Sequence, residues 1–379
     1  MSLRKILALA LCLALPAFAN ANGAMPVPPS LAANSWLLIE VSSGQTLAAE
    51  KAEQKLEPAS LTKLMTAYLS FAALRDKKLA LTQALPVSEK AWRTGGSKMF
   101  VKVDTQVAVD DLLKGMIVQS GNDACVVLAE AIAGSEENFA QLMNREAKRL
   151  GMQNTQFRNS TGLPDPQHYT TARDLARLAT ALIRDFPEEY RRYYSLKEFR
   201  YANITQPNRN RLLWTDPTVD GVKTGHTDAA GYCLISSALR DRRRLLSVVL
   251  GAASDKARAA ESAKLLNWGY VAYDAVHLYP NGQAVATPRL WKGAKNQVAV
   301  GFDQEFTVAV PKGMSDQLKA EYLAPARLMA PVKKGQIVGS VKLTLAGQPY
   351  GNSRSPAKAD VPLAGSFGRA VDTVKLWFQ

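Results

Sequence analysis

The chain has 379 residues, of which 47% are hydrophobic, and it carries a formal net charge of +14 at pH 7. This length allows two domains of ordinary size, and the hydrophobic content is enough for a core that needs no disulfide framework. Because no basic stripe with interleaved aromatic residues accompanies the charge, the composition disfavours nucleic acid and favours anionic lipid or an acidic wall polymer as the partner.

The N-terminal residues 1–21 are typical of a secretory signal peptide. Arg4 and Lys5 precede an apolar run from Ile6 to about Ala17, and small residues suited to cleavage follow. The run is short for a membrane span, which needs about 20 residues. We therefore expect an exported protein that is not a polytopic membrane protein.

The first predicted elements are a hairpin and a helix. The pattern predicts a strand over residues 35–41, a turn over 42–44 and a pairing strand over 45–49. Pro58 then precedes an apolar helical run that continues to Leu74. Ser60 is therefore predicted at or near a helix N-terminus.

The middle of the chain is predicted to be helical. Helices are expected over residues 110–115, 123–133, 138–150 and 171–184. The segment Ser120-Gly121-Asn122 falls in a connection between two of them, and residues 159–166 form a loop. These polar residues are ordinary in turns, so their position alone does not indicate a site.

Strands return after the helical middle. They are predicted over residues 219–224, 232–239 and 244–250, followed by a helix over 255–270. Strands at both ends of a helical middle predict an α+β fold in which non-adjacent segments complete one antiparallel sheet flanked by helices. We expect this catalytic domain to span residues 30–275.

A small all-β domain is predicted over residues 276–365, with strands at 297–302, 305–310 and 335–345. Residues 366–379 place apolar side chains at helical spacing, which predicts a terminal amphipathic helix. This helix either lies flat in an anionic membrane interface or packs on the β domain. Cys125 and Cys233, the cysteines outside the signal, both lie in apolar stretches. Two buried free thiols therefore fit the sequence at least as well as a disulfide between them.

Three short motifs carry the chemistry: Ser60-Leu-Thr-Lys63, Ser120-Gly-Asn122 and Lys223-Thr-Gly225. Ser-x-x-Lys also begins at Ser2 and at Ser355, so the first motif alone is weak. The other two each occur once. All three follow the order known for penicillin-binding proteins and class A β-lactamases.

The motifs supply a nucleophile and its base. A serine hydroxyl is a weak nucleophile until a base removes its proton, and Lys63 lies one helical turn from Ser60. The usual lysine pKa of about 10.4 must fall for this role, and burial, the helix N-terminus and the charge of Lys223 all lower it. Ser120 would complete a proton path, and Asn122 would orient the substrate carbonyl or hold Lys63.

The third motif and the residue after it suit the binding of a substrate that has a free C-terminus. Backbone N–H groups of Ser60 and His226 are the natural donors to an oxyanion. Gly225 lacks a side chain, which would let the substrate approach the strand edge. Thr224 and Lys223 offer a hydroxyl and a cation to a free C-terminal carboxylate.

The longer segments that contain these motifs resemble the low-molecular-mass penicillin-binding proteins, the D-alanyl-D-alanine carboxypeptidases of serine peptidase family S11. The resemblance extends from about Trp36 to the C-terminus. It rests on Pro58-Ala-Ser-Leu-Thr-Lys-Leu-Met-Thr-Ala67, Ser120-Gly-Asn-Asp-Ala124, His168-Tyr-Thr-Thr-Ala-Arg-Asp174 and Asp220-Gly-Val-Lys-Thr-Gly-His-Thr227.

The resemblance implies a β-lactamase/transpeptidase-like fold and acylation of Ser60 by the penultimate D-alanine of peptidoglycan stem peptides, with release of the terminal D-alanine. It implies acylation of the same serine by β-lactam antibiotics, and no cofactor. It also implies that Arg258 helps hold the terminal carboxylate, although a plain helix-surface arginine is an alternative. The protein would lie peripherally on the periplasmic face of the cytoplasmic membrane, anchored by its terminal helix.

Other functions compete with this interpretation. A class A β-lactamase shares the nucleophile, but it uses a loop glutamate to activate the deacylating water, and no Glu-x-x-Leu-Asn pattern lies between Asn122 and Lys223. A non-catalytic wall-binding scaffold would not need intact motifs. His168, His226 and His277 are too dispersed in the sequence to suggest a zinc site.

Overall fold

The structure is a computed structural model that describes residues 25–378. The predicted signal peptide and Gln379 lie outside the described residues. The strands in chain order are β1 Ser35–Glu40, β2 Thr46–Glu50, β3 Ala84–Pro86, β4 Gln106–Ala108, β5 Glu198–Tyr201, β6 Ile204–Pro207, β7 Val219–Thr227, β8 Gly231–Arg240, β9 Arg243–Ala252, β10 Tyr273–Tyr279, β11 Phe306–Pro311, β12 Leu318–Leu323, β13 Ile337–Leu345 and β14 Gln348–Pro356.

The helices in chain order are α1 Lys63–Arg75, α2 Glu89–Arg93, α3 Val109–Val118, α4 Asn122–Ala133, α5 Glu136–Arg149, α6 Ala172–Asp185, α7 Pro187–Tyr193, α8 Leu212–Thr215, α9 Asp255–Ala272 and α10 Ser366–Trp377. Short 3-10 helices occupy Ala59–Thr62 and Ser315–Gln317.

A five-stranded antiparallel sheet in the order β2-β1-β9-β8-β7 organises the first part of the molecule. Strand β1 pairs along its length with β9, so segments more than 200 residues apart close the sheet, as predicted. Side chains of β1 alternate between its faces: Leu37 packs into the core beneath the helical middle, and Leu38 packs into the core beneath α9. The sheet is therefore covered by helices on both faces.

The helical middle is confirmed, and α3 is the element that differs most in length from its prediction. Helix α3 covers Val109–Val118 rather than residues 110–115, because its buried apolar side chains continue to Val118. Helix α6 begins where Thr171 accepts a hydrogen bond from the backbone N–H of Asp174, a side-chain cap that pattern matching locates to within one residue.

The C-terminal part is β-rich, but the strand predicted over residues 297–302 is wrong. Val300 exchanges isolated bridges with Ala286 and Ala357, and the N–H of Gly301 donates to Pro356 instead. The backbone bonds of this segment are thus divided among different neighbours, and no continuous ladder forms. Val298 and Val300 are nevertheless buried in the small apolar core of this part, which is why their pattern resembles that of a strand.

Strand β10 starts at Tyr273, so the boundary predicted at residues 275/276 falls inside it. Hydrogen bonds tie β11 to the β1–β2 hairpin: Ser42 Oγ accepts from the Thr307 N–H at 2.8 Å and donates to the Thr307 carbonyl at 3.0 Å. The Ala309 N–H donates to Gln45 Oε1 at 3.2 Å. The C-terminal strands thus pack directly on the turn of the first hairpin.

Helix α10 is formed as predicted, and none of its residues is buried. Phe367 is 84% exposed and Trp377 is 77% exposed, while Asp372 accepts a hydrogen bond from the Lys292 N–H at 2.6 Å. The helix therefore rests on the β-rich part through a polar contact and leaves large apolar side chains free. Within residues 25–378, the length and hydropathy of every helix fall short of what a membrane span requires.

Candidate active site

The nucleophile candidate, Ser60, lies in a tight 3-10 turn that leads into α1. Ala59 before it has a φ of 46°, a left-handed conformation that is costly for a residue with a side chain. Two glycines pack against this turn. A Cβ on Gly162 would lie 1.8 Å from the Ala59 carbonyl oxygen, and one on Gly225 would lie 3.2 Å from the Pro58 carbonyl oxygen.

This packing gives Gly225 a structural role beside the one predicted for it. Gly225 lines the cavity, and approach of the substrate to its strand edge stays a prediction. The structure places the turn that carries Ser60 against Gly225, with Leu61 Cγ and Ala59 Cβ within 3.3 Å of the space a Cβ would occupy. The glycine thus allows the serine turn and strand β7 to meet.

Lys63 is buried at the centre of the site, with 1% of its surface exposed. Its Nζ lies 3.0 Å from Ser60 Oγ, 2.7 Å from Asn122 Oδ1 and 2.6 Å from the Thr161 carbonyl oxygen. Burial lowers the pKa of Lys63 to about 8, and the nearby charge of Arg209 acts in the same direction. A sizeable neutral fraction near neutral pH is what a general base requires.

Ser120 and Asn122 are positioned by the start of α4. Ser120 has a φ of 69°, and Asn122 is the first residue of the helix rather than part of the loop. The Asn122 amide donates to the Gly95 carbonyl at 2.7 Å while its oxygen contacts Lys63. Of the two roles considered for Asn122, the structure shows the contact with Lys63.

Lys223 lies opposite, on β7, the edge strand of the main sheet. Its Nζ is 3.0 Å from Ser120 Oγ and 3.0 Å from the Thr224 carbonyl oxygen. Burial, reinforced by the charge of Lys63, holds the pKa of Lys223 well below its usual value. Each lysine thus contacts one serine of the cavity wall, Lys63 with Ser60 and Lys223 with Ser120.

Arg258 lies in the wall of the cavity and not on the outer surface of helix α9. Its side chain is buried, and its guanidinium donates to the Gly225 carbonyl at 3.1 Å and to Asp255 at 2.5 Å. It is therefore not a plain surface arginine. Its fixed contacts hold β7 and α9 together at the wall of the cavity.

Arg209 was missed by the sequence reasoning. It is exposed, it lines the same cavity, and its charge acts on both active-site lysines. It is held between Asn208 and Asn210, whose amides donate to the carbonyls of Leu196 and Gly221. The repeated Asn on both sides of an arginine just before the third motif is the only signal that could have indicated it.

Six of the nine predicted site residues line one cavity of about 340 Å³, while Lys63, Asn122 and Lys223 are buried outside its lining. It is lined by Ser60, Ser97, Ser120, Arg209, Thr224, Gly225, His226, Tyr232 and Arg258. His226 and Tyr232 are paired across β7 and β8, with their rings 4.0 Å apart. Among residues 25–378, hydroxyls and cations line the cavity and no carboxylate does. This lining suits an anionic substrate.

The remaining histidines and the cysteines lie elsewhere. His168 Nε2 lies 2.9 Å from Thr62 Oγ1 behind the active-site turn, and His277 Nδ1 lies 2.9 Å from Thr307 Oγ1 in the β-rich part. Cys125 and Cys233 are both buried free thiols. Burial raises the pKa of Cys125 to about 12, which disfavours the thiolate form that a nucleophile needs.

A serine with a buried lysine as its neighbouring base, on an antiparallel sheet with helices on both faces, defines the class of active-site-serine acyl enzymes. A family model described as D-alanyl-D-alanine carboxypeptidase matches residues 22–254, and a model described as the C-terminal domain of penicillin-binding protein 5 matches residues 273–363. The chain belongs to the D-alanyl-D-alanine carboxypeptidase family.

Individual relatives agree with this assignment. The chain is 45% identical to the D-alanyl-D-alanine carboxypeptidase DacC of Escherichia coli over 359 residues, which cover 93% of this chain and 90% of the relative. The crystal structure of penicillin-binding protein 5 from Haemophilus influenzae, 41% identical, superposes with a TM-score of 0.77 over 89% of this chain and 99% of the other. Penicillin-binding protein D2 from Listeria monocytogenes in its ampicillin-bound form is 31% identical, with a TM-score of 0.60 over 65% of this chain and 100% of the other.

Proposed function

We propose that this protein is a serine-type D-Ala-D-Ala carboxypeptidase that removes the terminal D-alanine from peptidoglycan stem peptides through an acyl-enzyme on Ser60. The observation that carries the proposal is the buried Lys63, whose Nζ lies 3.0 Å from Ser60 Oγ. Membership of the carboxypeptidase family, over most of the chain, supplies the substrate class.

In the first step, Ser60 Oγ attacks the carbonyl carbon of the penultimate D-alanine while neutral Lys63 takes the hydroxyl proton. The backbone N–H groups of Ser60 and His226 are proposed to stabilise the developing oxyanion. The peptide C–N bond then breaks, and the proton held by Lys63 reaches the departing amine through the Ser120 hydroxyl. Lys223, 3.0 Å from that hydroxyl, orients it.

In the second step, water attacks the acyl ester. Lys63 again accepts a proton, now from water, and returns it to Ser60 Oγ as the shortened peptide leaves. The products are free D-alanine and a stem peptide with a new C-terminal carboxylate. No cofactor takes part in these steps.

The terminal carboxylate of the substrate is proposed to bind Thr224 and the free guanidinium of Arg209. Arg258 acts behind them, because its guanidinium is already bonded to Gly225 and Asp255. This division of roles predicts that replacing Arg209 weakens substrate binding directly, whereas replacing Arg258 also disturbs β7.

β-Lactams are proposed to acylate the same serine. The ampicillin-bound form of the Listeria relative supports this. Of the alternatives, a class A-like β-lactamase is disfavoured because, in the part of the chain that the structure describes, no carboxylate lines the cavity to activate a deacylating water. A non-catalytic scaffold is disfavoured because it would not require a buried, partly neutral lysine beside Ser60.

The test is release of D-alanine from a soluble D-Ala-D-Ala peptide, followed with and without penicillin. We expect release that penicillin abolishes in proportion to a stable adduct, and no release from Lys63→Ala. Rapid turnover of penicillin would favour the lactamase instead. Absence of both peptidase activity and adduct would favour the scaffold.

We also infer the position of the protein in the cell and its domain plan. Because β10 starts at Tyr273, we place the end of the catalytic domain at residue 272 rather than 275. The catalytic domain then comprises residues 30–272, the β domain 273–365 and the anchor helix 366–379, with a signal peptide over 1–21. The exposed Phe367, Trp377 and Phe378 beside Arg369 and Lys375 suit insertion of α10 into an anionic membrane interface. This supports a peripheral location on the periplasmic face of the cytoplasmic membrane.

Flotation with vesicles tests the anchor. A chain that ends before Ser366 should lose binding to vesicles that contain phosphatidylglycerol while its D-alanine release from a soluble peptide stays unchanged. Equal vesicle binding by both forms would contradict the anchor.

A further inference from the structure

A second concave surface lies on the same part of the molecule, between helix α5 and the segment that carries Tyr169. It has a volume of about 600 Å³, larger than the active-site cavity. Arg145 and Lys148 extend from one face of α5, Gln153 and Gln156 come from the loop after it, and Tyr169 closes the opposite side. We call this surface, together with Lys55 at its edge, the α5 groove.

The charged side chains of the α5 groove are all cationic. Arg145, Lys148 and Lys55 are exposed, and none of them forms an ion pair with a carboxylate of residues 25–378. Arg173, by contrast, pairs with Glu53 at 2.7 Å. The Lys55 Nζ lies 4.4 Å from the centre of the Tyr169 ring, which holds that cation at the edge of the groove.

The groove wall is rigid. Tyr169 and Gln156 exchange two backbone hydrogen bonds at 2.9 and 3.1 Å, and Thr170 and Leu56 exchange two more at 2.8 and 2.9 Å. Asn144 fixes the loop on α5 by bonding both the N–H and the carbonyl of Phe157 at 2.8 Å. Binding at such a surface therefore requires little ordering of the backbone.

Two consecutive residues, His168 and Tyr169, connect the turn that carries Ser60 to the α5 groove. Successive side chains of an extended segment point to opposite sides. Tyr169 faces the groove, while its neighbour His168 is buried and contacts Thr62, between Ser60 and Lys63, at 2.9 Å. The α5 groove and the serine turn thus lie on opposite sides of one fixed segment.

Unpaired cations with amide donors and no carboxylate suit a ligand that bears carboxylates. On the proposed function, on which this inference rests, the substrate polymer supplies many of them, because a stem peptide that is not crosslinked through its terminal carbonyl ends in a carboxylate before and after trimming. We propose that the α5 groove binds the carboxylate of a second stem peptide of the wall polymer while another occupies the active site.

Binding at the α5 groove would keep the protein on the wall polymer after a stem peptide has been trimmed. Because a trimmed stem keeps a C-terminal carboxylate, it remains a ligand for the groove after it has ceased to be a substrate. A second contact on the same polymer raises the effective concentration of uncleaved stems at Ser60. The groove would therefore favour polymeric over soluble substrate without touching the reacting atoms.

The test uses the full mature chain with Ser60→Ala, so that binding is measured without turnover. The groove variant carries Lys55→Gln, Arg145→Gln and Lys148→Gln. The matched control carries Lys78→Gln, Lys102→Gln and Lys197→Gln, which removes the same charge from other exposed positions. Each form is sedimented with purified sacculi, with sacculi stripped of stem peptides by an amidase, and with phosphatidylglycerol vesicles.

We expect the groove variant to bind intact sacculi roughly 10-fold more weakly, the scale for losing three modest surface contacts, and the control to stay within about 2-fold of the parent. Stripped sacculi should bind the parent and the groove variant equally weakly. Equal weakening of both variants, an unchanged groove variant, the same loss on stripped glycan, or a loss on vesicles alone would overturn the proposal.

The same substitutions in the Ser60 form separate this inference from the proposed function. With a soluble D-Ala-D-Ala peptide, the groove variant should release D-alanine at the parent rate. If the parent itself released none, the proposed function would fail, while the sacculus binding would still decide whether the groove recognises stem peptides.

Discussion

At the scale of single residues, the proposed chemistry depends on a lysine that the fold keeps away from water. Lys63 has three polar neighbours in Ser60, Asn122 and the Thr161 carbonyl, yet no carboxylate within the described residues forms an ion pair with it. Burial therefore dominates its titration. The same polar neighbours keep the amine aimed at Ser60 whether or not it is protonated.

Acylation by penicillin should follow the titration of Lys63. Because burial lowers its pKa to about 8, the base form grows as pH rises from 7 to 9, and the acylation rate constant should rise with it and then level off. Stopped-flow measurement with a reporter β-lactam checks this. A rate that stays flat from pH 6 to 10 would contradict Lys63 as the base.

The lowered pKa also has a consequence for stability. The unfolded chain binds a proton at Lys63 up to its ordinary pKa, whereas the folded chain releases it near pH 8. Between these values the unfolded state holds more protons, so the contribution of Lys63 to stability is lost as pH falls and returns as pH rises. Lys63→Met should therefore be less pH-dependent in its unfolding free energy than the parent between pH 8 and 10.

Gly162 is the residue on which the serine turn depends most visibly. Gly162→Ala should destabilise the fold and slow acylation, because the new Cβ would lie 1.8 Å from the Ala59 carbonyl oxygen. Gly134→Ala is a matched control, since Gly134 has a φ of 77° but no atom within 4 Å of its Cβ position.

In denaturant unfolding, the control should cost about 1 kcal/mol for the left-handed conformation alone. Gly162→Ala should cost at least about 2 kcal/mol more, the scale of a steric conflict in a core. Similar costs for both substitutions would show that the turn does not need this close approach.

At the scale of elements, the start of α4 organises the loop beside the nucleophile. The buried Asp123 carboxylate accepts the backbone N–H groups of Met99 at 2.9 Å, Phe100 at 2.9 Å and Val101 at 3.2 Å. The same loop supplies the Gly95 carbonyl that holds the Asn122 amide. The second motif thus acts through a loop that precedes it by some 25 residues.

Asp123→Asn should uncouple that loop. An amide can accept fewer of these N–H groups than a carboxylate and adds a buried NH2 that lacks a partner, so acylation by penicillin should slow by about 10-fold or more. Asp111→Asn, in the first turn of α3, is the control and should leave the rate unchanged. If the two variants acylate alike, the loop does not depend on Asp123.

Most elements near the site could be predicted from local signals. The apolar run after Pro58, the helix-capping Thr171 and the alternation of β8 and β9 each define an element by itself. The strand predicted over residues 297–302 is wrong because the local signal is ambiguous there. Val298 and Val300 are buried, and burial produces the same alternation of apolar residues whether or not a hydrogen-bonded ladder forms.

The same contrast between local sequence signals and contacts made by the tertiary fold holds for the site. The three motifs predict residues that the structure brings together, namely Ser60 with Lys63 and Ser120 with Lys223. Arg209 and the Thr161 carbonyl reach the site through the tertiary fold, and a backbone oxygen has no sequence signature. The contact of Gly225 with the serine turn is equally invisible before folding. Sequence patterns report local periodicity, whereas these contacts join segments that are about 100 residues apart or more.

At the scale of the whole molecule, the β-rich part is fixed to the catalytic part at the first hairpin and presents α10 at the chain end. Ser42, Gln45 and Tyr273 supply the contacts, with the Tyr273 hydroxyl donating to the Leu47 carbonyl at 3.2 Å. The molecule therefore holds its active-site cavity in a fixed relation to the proposed membrane anchor.

The central claim is that Ser60 is the acylated residue of this fold. Ser60, Ser97 and Ser120 all line the same cavity, so adduct formation alone does not distinguish them. Peptide mapping by mass spectrometry after brief exposure to penicillin does. The account predicts one penicilloyl group on the peptide that contains Ser60, absent from Ser60→Ala and strongly reduced in Lys63→Ala. A penicilloyl group on Ser97 or Ser120 in the unaltered protein would contradict it.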